Sequence, residues 1–97
     1  MGEGSAMYAV VVREIGEPEA IEASAELLTT SLLPRVRAAP GIVSASFTSD
    51  GQGGTLNVLV FDSEEAARAA LELTRNAPRP GFLRLESADV YLVLAHF

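Results

Sequence analysis

The sequence predicts a small α+β domain in the order β-α-β-β-α-β. Three observations lead there. The stretches MYAVVVRE, TLNVLVF and ADVYLVLAHF are strand-length and rich in β-branched and apolar residues. Two other stretches, opening near Pro18 and Ser63, carry apolar residues at helical spacing. The turn DGQGG, residues 50–54, joins two apolar runs directly and reads as a hairpin.

Met7 to Glu14 is the first strand, closed by Gly16 and Pro18. Pro18 suits the first turn of a helix, and Glu17 and Glu19 suit its positive end. Ile21, Ala25, Leu28, Leu32 and Val36 then give one apolar face. Pro34 interrupts it, so a break is expected near Thr30-Ser31, with Ser31 capping a short segment from about Leu33. Pro40-Gly41 ends that segment, and GIVSASFTSDGQGGTLNVLVFDS forms the hairpin. Asp62-Ser63-Glu64-Glu65 opens the next helix, with Ala67, Ala70, Leu71 and Thr74 on one side. NAPRPGFLR is too proline-rich for anything but a loop, and Ala88 to Phe97 is the last strand. With right-handed crossovers this order is the ferredoxin-like split βαβ: a four-stranded antiparallel sheet with two helices on one face. One domain spans residues 7–97, and MGEGSA, residues 1–6, reads as a disordered lead or an expression remnant.

If both helices cover one face, the strands should alternate apolar and polar. Instead VVV, LNVLVF and VYLVLA are apolar at nearly every position. No third helix is available for the second face, and a second copy of the chain is the economical cover. The hydrophobic fraction of 48% points the same way, because a 97-residue chain cannot hide that much apolar surface alone. A homodimer is therefore expected.

Composition closes several other doors. There are no cysteines, so disulfides and thiolate metal sites are out. The apolar runs are too short for a membrane span and no leader precedes them, which reads as a cytoplasmic chain. A net charge of −6 argues against a nucleic-acid partner.

The hairpin holds the candidate site. Pairing Thr48 with Thr55 also pairs Ser46 with Asn57, Ser44 with Leu59 and Ile42 with Phe61. One face then reads Val43, Ala45, Phe47, Leu56, Val58 and Val60, wholly apolar and suited to helices. The other gathers Ser44, Ser46, Asn57 and Phe61 toward the dimer interface, and apolar walls with a few polar groups suit a small-molecule pocket. Tyr91 and Tyr8 join the pocket-lining candidates, since a buried phenol needs a partner. The competing reading is that the hydroxyls bond only one another and that both tyrosines are ordinary core or interface residues.

Sharper chemistry fails. A serine triad would need His96 as its base, yet no serine sits in a strand-to-helix elbow. No ligand spacing surrounds that one histidine, so no metal is expected. Gly51, Gly53 and Gly54 join two strands rather than opening a helix, and hold no phosphate.

The element order, Pro40-Gly41 before the second strand, the glycine hairpin and VFDSEEAA at residues 60–67 resemble the dimeric α+β barrel superfamily. Within it the chain is most similar to the antibiotic biosynthesis monooxygenase-like group. The resemblance implies a homodimer and a small hydrophobic ligand. It further implies either a cofactor-independent monooxygenase acting on an electron-rich aromatic or a non-catalytic binding or structural module. Asn57 and Tyr91 would hold the ligand's carbonyl or phenolate, with Arg13 or Arg84 at the mouth. Haem-degrading relatives place a histidine in the second helix, and this chain has none there.

Overall fold

The computed structural model describes residues 6–97. It contains β1 (Tyr8–Gly16), α1 (Pro18–Ala23), α2 (Ala25–Leu27), a π-helical turn (Leu28–Leu32), α3 (Leu33–Arg37), β2 (Ile42–Ser49), β3 (Gly54–Phe61), α4 (Glu64–Asn76) and β4 (Leu83–Leu92). The sheet runs β2-β3-β1-β4 with every neighbouring pair antiparallel, the ferredoxin-like arrangement. Most of the expected N-terminal lead, residues 1–5, lies outside the described residues.

One face of the sheet is covered. Val10 and Val12 from β1, Phe61 from β3 and Ala88 from β4 form a buried cluster with Ala67 and Leu71 of α4. Phe61 and Val10 are the largest fully buried side chains. Ser63 sets α4 in place, because its Oγ accepts a hydrogen bond from the Ala66 amide at 3.1 Å and so satisfies an orphan donor. Arg75, near the end of α4, reaches the Ala88 carbonyl at 2.9 Å and ties the helix to β4.

The expected break at Thr30-Ser31 does not occur. Pro34 removes the donor that would reach back one turn and crowds that carbonyl. The chain widens into a π-helical turn over Leu28–Leu32 and continues helically instead of stopping. Ser31 caps nothing, although α3 does begin at Leu33.

The last strand lies earlier than expected. It begins at Leu83, where the alternation of Leu83 and Leu85 with Arg84 and Glu86 marks a half-buried strand that starts inside the stretch read as loop and runs on ahead of Ala88. It ends at Leu92 because its partner β1 starts at Tyr8, and the Val93 amide to the Met7 carbonyl is the final bond of the ladder.

The hairpin register also differs from expectation. Ile42 does pair with Phe61, but Ser44 pairs with Val60, Ser46 with Val58, Phe47 with Asn57 and Thr48 with Leu56. Val43 is an extra residue, a β-bulge that shifts every later pair by one. Since side chains alternate with period two, that single insertion exchanges the faces of β3 relative to β2.

Gly41, between α3 and β2, has φ +79°, and a Cβ there would lie 2.7 Å from Asp62 Oδ1 and 2.9 Å from the Ala66 Cβ. Gly41→Ala is expected to cost about 2 kcal/mol in urea unfolding, from the left-handed backbone and this crowding together. Gly81→Ala, with nothing within 4 Å of its Cβ, should change stability by less than about 0.5 kcal/mol.

Candidate functional site

The register fixes which side each candidate occupies, because directly paired residues share a face. Across the covered side run Phe47, Asn57, Val12 and Ala88, and next to them Ala45, Leu59, Val10 and Val90. The open side carries Ser46, Val58, Val11 and Asp89, flanked by Ser44, Val60, Ala9 and Tyr91. The six candidates therefore divide. Asn57, Tyr8 and Phe61 lie on the covered side, and Ser44, Ser46 and Tyr91 lie on the open side. The expected convergence of Ser44, Ser46 and Asn57 on one face is overturned by the bulge at Val43. The assignment of Leu56, Val58 and Val60 to the helices is overturned with it.

Phe61 is a core residue, and Tyr8 packs against the same cluster half-buried. Asn57 is the one buried polar side chain among the described residues, at 9% exposure. A buried carboxamide needs its bonds made. Asn57 Nδ2 donates to Glu14 Oε1 at 3.2 Å, and Asn57 Oδ1 accepts from the Thr48 amide at 3.4 Å. Glu14 stands on the covered face because it follows Val10 and Val12 at alternate positions of β1. Its other oxygen, Oε2, accepts from Arg79 Nε at 2.8 Å, with the Arg79 and Glu14 side chains only 15% and 12% exposed. Arg79 comes from the loop after α4, held between Pro78 and Pro80, and its Nη1 also donates to the Ala77 carbonyl at 3.2 Å.

Thr48, Asn57, Glu14 and Arg79 thus form a chain of polar contacts that joins β2, β3, β1 and the α4–β4 loop. Chemically the chain is spent on itself, since both oxygens of Glu14 and both ends of the Asn57 amide have partners. It fixes geometry and offers no unpaired acid or base.

Beside it, at the hairpin end of the sheet, an open cleft of about 400 Å³ is lined by Arg13, Glu14, Thr48, Asp50, Thr55 and Glu86, among others. None of the six candidates lines it. Asp50 accepts from the Gln52 amide at 2.7 Å and the Gly54 amide at 3.0 Å. These two donors hold its carboxyl below the usual aspartate range. Arg84 borders a second cleft of about 320 Å³ with Ile15 and Phe82. Among the described residues no three histidine or carboxylate side chains come together as they would around a metal ion. No described helix is long and apolar enough to cross a membrane.

The first helical segment is less tightly seated than α4. Only Ile21 is buried, while Leu28, Leu32, Leu33 and Val36 stay half-buried and outside the core cluster. On the strand beneath α3, Ala45 and Phe47 are half-buried too.

Glu14 and Arg79 escaped the sequence reading. The signal for Glu14 was present: a carboxylate in step with Tyr8, Val10 and Val12 must share their face. Arg79 gave none, because its partner is 65 residues away.

No family model matches the chain, and no curated protein does. Solved structures do. A protein of unknown function from Nitrosomonas europaea, NE2512, aligns with a TM-score of 0.68 at 22% identity, over 96% of this chain and 94% of its own. The ActVA-Orf6 monooxygenase of Streptomyces coelicolor, solved in complex with Nanaomycin D, aligns at 0.58 and 21%, over 96% and 91%. An antibiotic biosynthesis monooxygenase-type protein from Chloroflexus aurantiacus aligns at 0.61 and 17%, over 94% and 96%. The chain therefore has the ferredoxin-like α+β fold of the antibiotic biosynthesis monooxygenase-like structures, along nearly its whole length.

Removing one partner of the buried pair strands the other. Glu14→Gln is expected to cost about 2–3 kcal/mol in urea unfolding, below the range for fully buried pairs because both groups keep some water contact. Adding Arg79→Gln to it should cost much less than the two single losses summed, and strict additivity would show that the pair is not coupled.

Proposed function

We propose that this chain acts as a homodimer that takes up a small hydrophobic aromatic ligand. The observation that carries the reading is the open face of the sheet. Val11, Val58 and Leu56 lie across its middle, only half-buried or exposed, with Tyr91 at 53% exposure beside them. Leaving such a face to water is costly, at about 25 cal/mol per Å² of apolar surface. A second copy presenting the same face would cover it.

The ligand reading rests on the covered side. There the half-buried stripe Leu28, Leu32 and Val36, with Ala45 and Phe47, offers apolar walls that the core cluster does not fill. Asn57 is the buried polar side chain on that side, paired across the strands with Phe47. Because its amide is held by Glu14 and Thr48, its part is to fix the wall. Phe61 lies within the core cluster and Tyr8 packs against it. Ser44, Ser46 and Tyr91 belong instead to the surface between copies.

A second reading is monooxygenase-like turnover of that ligand, favoured by the fold likeness to ActVA-Orf6 in complex with Nanaomycin D. An anthrone-type substrate and dioxygen would yield the quinone and water, which balances without a further reductant. The chain contains no tryptophan, and its one histidine, His96, is exposed. Binding is accordingly the primary reading and turnover the secondary one.

Light scattering at micromolar concentration should give twice the chain mass, and a stable monomer would refute the dimer. Titration with an anthrone should give saturable binding, weakened about tenfold by Asn57→Ala. Dioxygen consumption in the same mixture would establish turnover. Binding without it would establish a module that does no chemistry, and no binding would remove the ligand from the account.

A further inference from the structure

Glu14 is a carboxylate held in place by strands. Its side chain is only 12% exposed, and β1 sets it on the covered side in step with Val10 and Val12. Asn57 donates to its Oε1 at 3.2 Å, and the Thr55 hydroxyl stands 3.5 Å from the same oxygen. Both neighbours belong to β3, so the acceptor keeps its place if the loop beside it moves. An ionised carboxylate this far from water requires a cation, and no strand supplies one.

The cation is Arg79, and it arrives on a segment of different character. In the loop of residues 77–82, Ala77, Pro78, Pro80 and Gly81 are exposed, and a Cβ at Gly81 would meet nothing within 4 Å. The loop's backbone tie to the rest of the fold is the Glu17 amide, which donates to the Phe82 carbonyl at 3.1 Å. Arg79 itself reaches Glu14 through one hydrogen bond, Nε to Oε2 at 2.8 Å. Its Nη1 turns back to the loop's own Ala77 carbonyl at 3.2 Å. Guanidinium and carboxylate at their best make a two-point fork, and this contact falls short of it. Each carboxylate oxygen accepts more than one bond, so Glu14 keeps capacity for such a fork.

We propose that Glu14, backed by Asn57, is a binding site for a small planar organic cation, a guanidinium or amidinium, and that Arg79 is its tethered occupant. An arriving ligand takes the carboxylate in a two-point fork, and Arg79 leaves with its loop. The loop is then a strap, closed when the site is filled from within and open when it is filled from outside. A planar, delocalised cation suits the site better than an ammonium, because it is more weakly hydrated and gives up less on leaving water. The net charge of −6 draws cations toward the chain. A tethered group competes at an effective concentration on the order of millimolar, so a free ligand must bind more tightly than that to displace it. The inference goes beyond the homodimer and aromatic-ligand readings and depends on neither.

Emptying the site and refilling it tests this. The variant is Arg79→Ala, and the probes are N-ethylguanidine and its neutral counterpart of the same shape, N-ethylurea. In Arg79→Ala, N-ethylguanidine should shift the Asn57 side-chain amide resonances saturably and raise the melting temperature. N-ethylurea should do neither, and adding Glu14→Gln should abolish the response to N-ethylguanidine. In the unaltered chain, half-saturation should need at least tenfold more N-ethylguanidine, because Arg79 must first be displaced. Amide exchange at Gly81 and Phe82 should then quicken as the strap opens. An equal response to N-ethylurea, a response that survives Glu14→Gln, or equal affinity in the unaltered chain and Arg79→Ala would each overturn the inference. If circular dichroism shows Arg79→Ala unfolded, refolding by N-ethylguanidine and not by N-ethylurea supports the same site. Refolding by neither overturns it.

Discussion

Val43 has no partner on β3, and this one inserted residue decides which side of the sheet every hairpin side chain occupies. Before it, Ile42 and Phe61 look toward α4 together. After it, a strand paired in step would have kept Ser44 and Ser46 on that same side. The bulge turns them outward and brings Ala45 and Phe47 inward beside Leu59 and Asn57. Two short hydroxyls that would have been buried without partners become surface groups, and two apolar residues take their places. The sheet thus gains a closed core on one side and a patterned, partly apolar surface on the other.

Asn57 follows from the same shift. Set inward, it must satisfy its amide inside the fold, and it does so through Glu14 and the Thr48 backbone. Glu14 in turn binds Arg79 and draws the proline-rich loop onto the end of the sheet. A carboxylate so far out of water is tolerable because Asn57 of β3 and Arg79 of the α4–β4 loop supply its partners. The polar chain therefore ties the hairpin, β1 and the α4–β4 loop together. Leu28, Leu32 and Val36 stay half-buried outside the core cluster.

Much of this was legible in the sequence. The order of elements, the ferredoxin-like topology, the helix start at Asp62–Glu65 and the excess of apolar surface all follow from local patterns and hold in the structure. The bulge was not legible, because an in-register hairpin separates Val43, Ala45, Phe47, Leu56, Val58 and Val60 so cleanly that nothing in the residues argues against it. The competing term is tertiary: Phe61 is needed against Ala67 and Leu71, and only the three-dimensional core reveals that. The π-helical turn was missed for a similar reason, since a proline inside a helix can be met by a break or by a wider turn. Leu83 and Arg84 were misread as loop, and the strand start was set too late, because the alternation is short and the prolines before it dominate the pattern. Arg79 found its partner across the whole domain, which no local signal carries.

The register of β2 against β3 is the point on which the account stands, and backbone NOEs between those strands read it directly. The account predicts contacts of Phe47 with Asn57 and of Ser46 with Val58. Contacts of Ser46 with Asn57 and of Thr48 with Thr55 would contradict it. They would return the serines and Asn57 to one face.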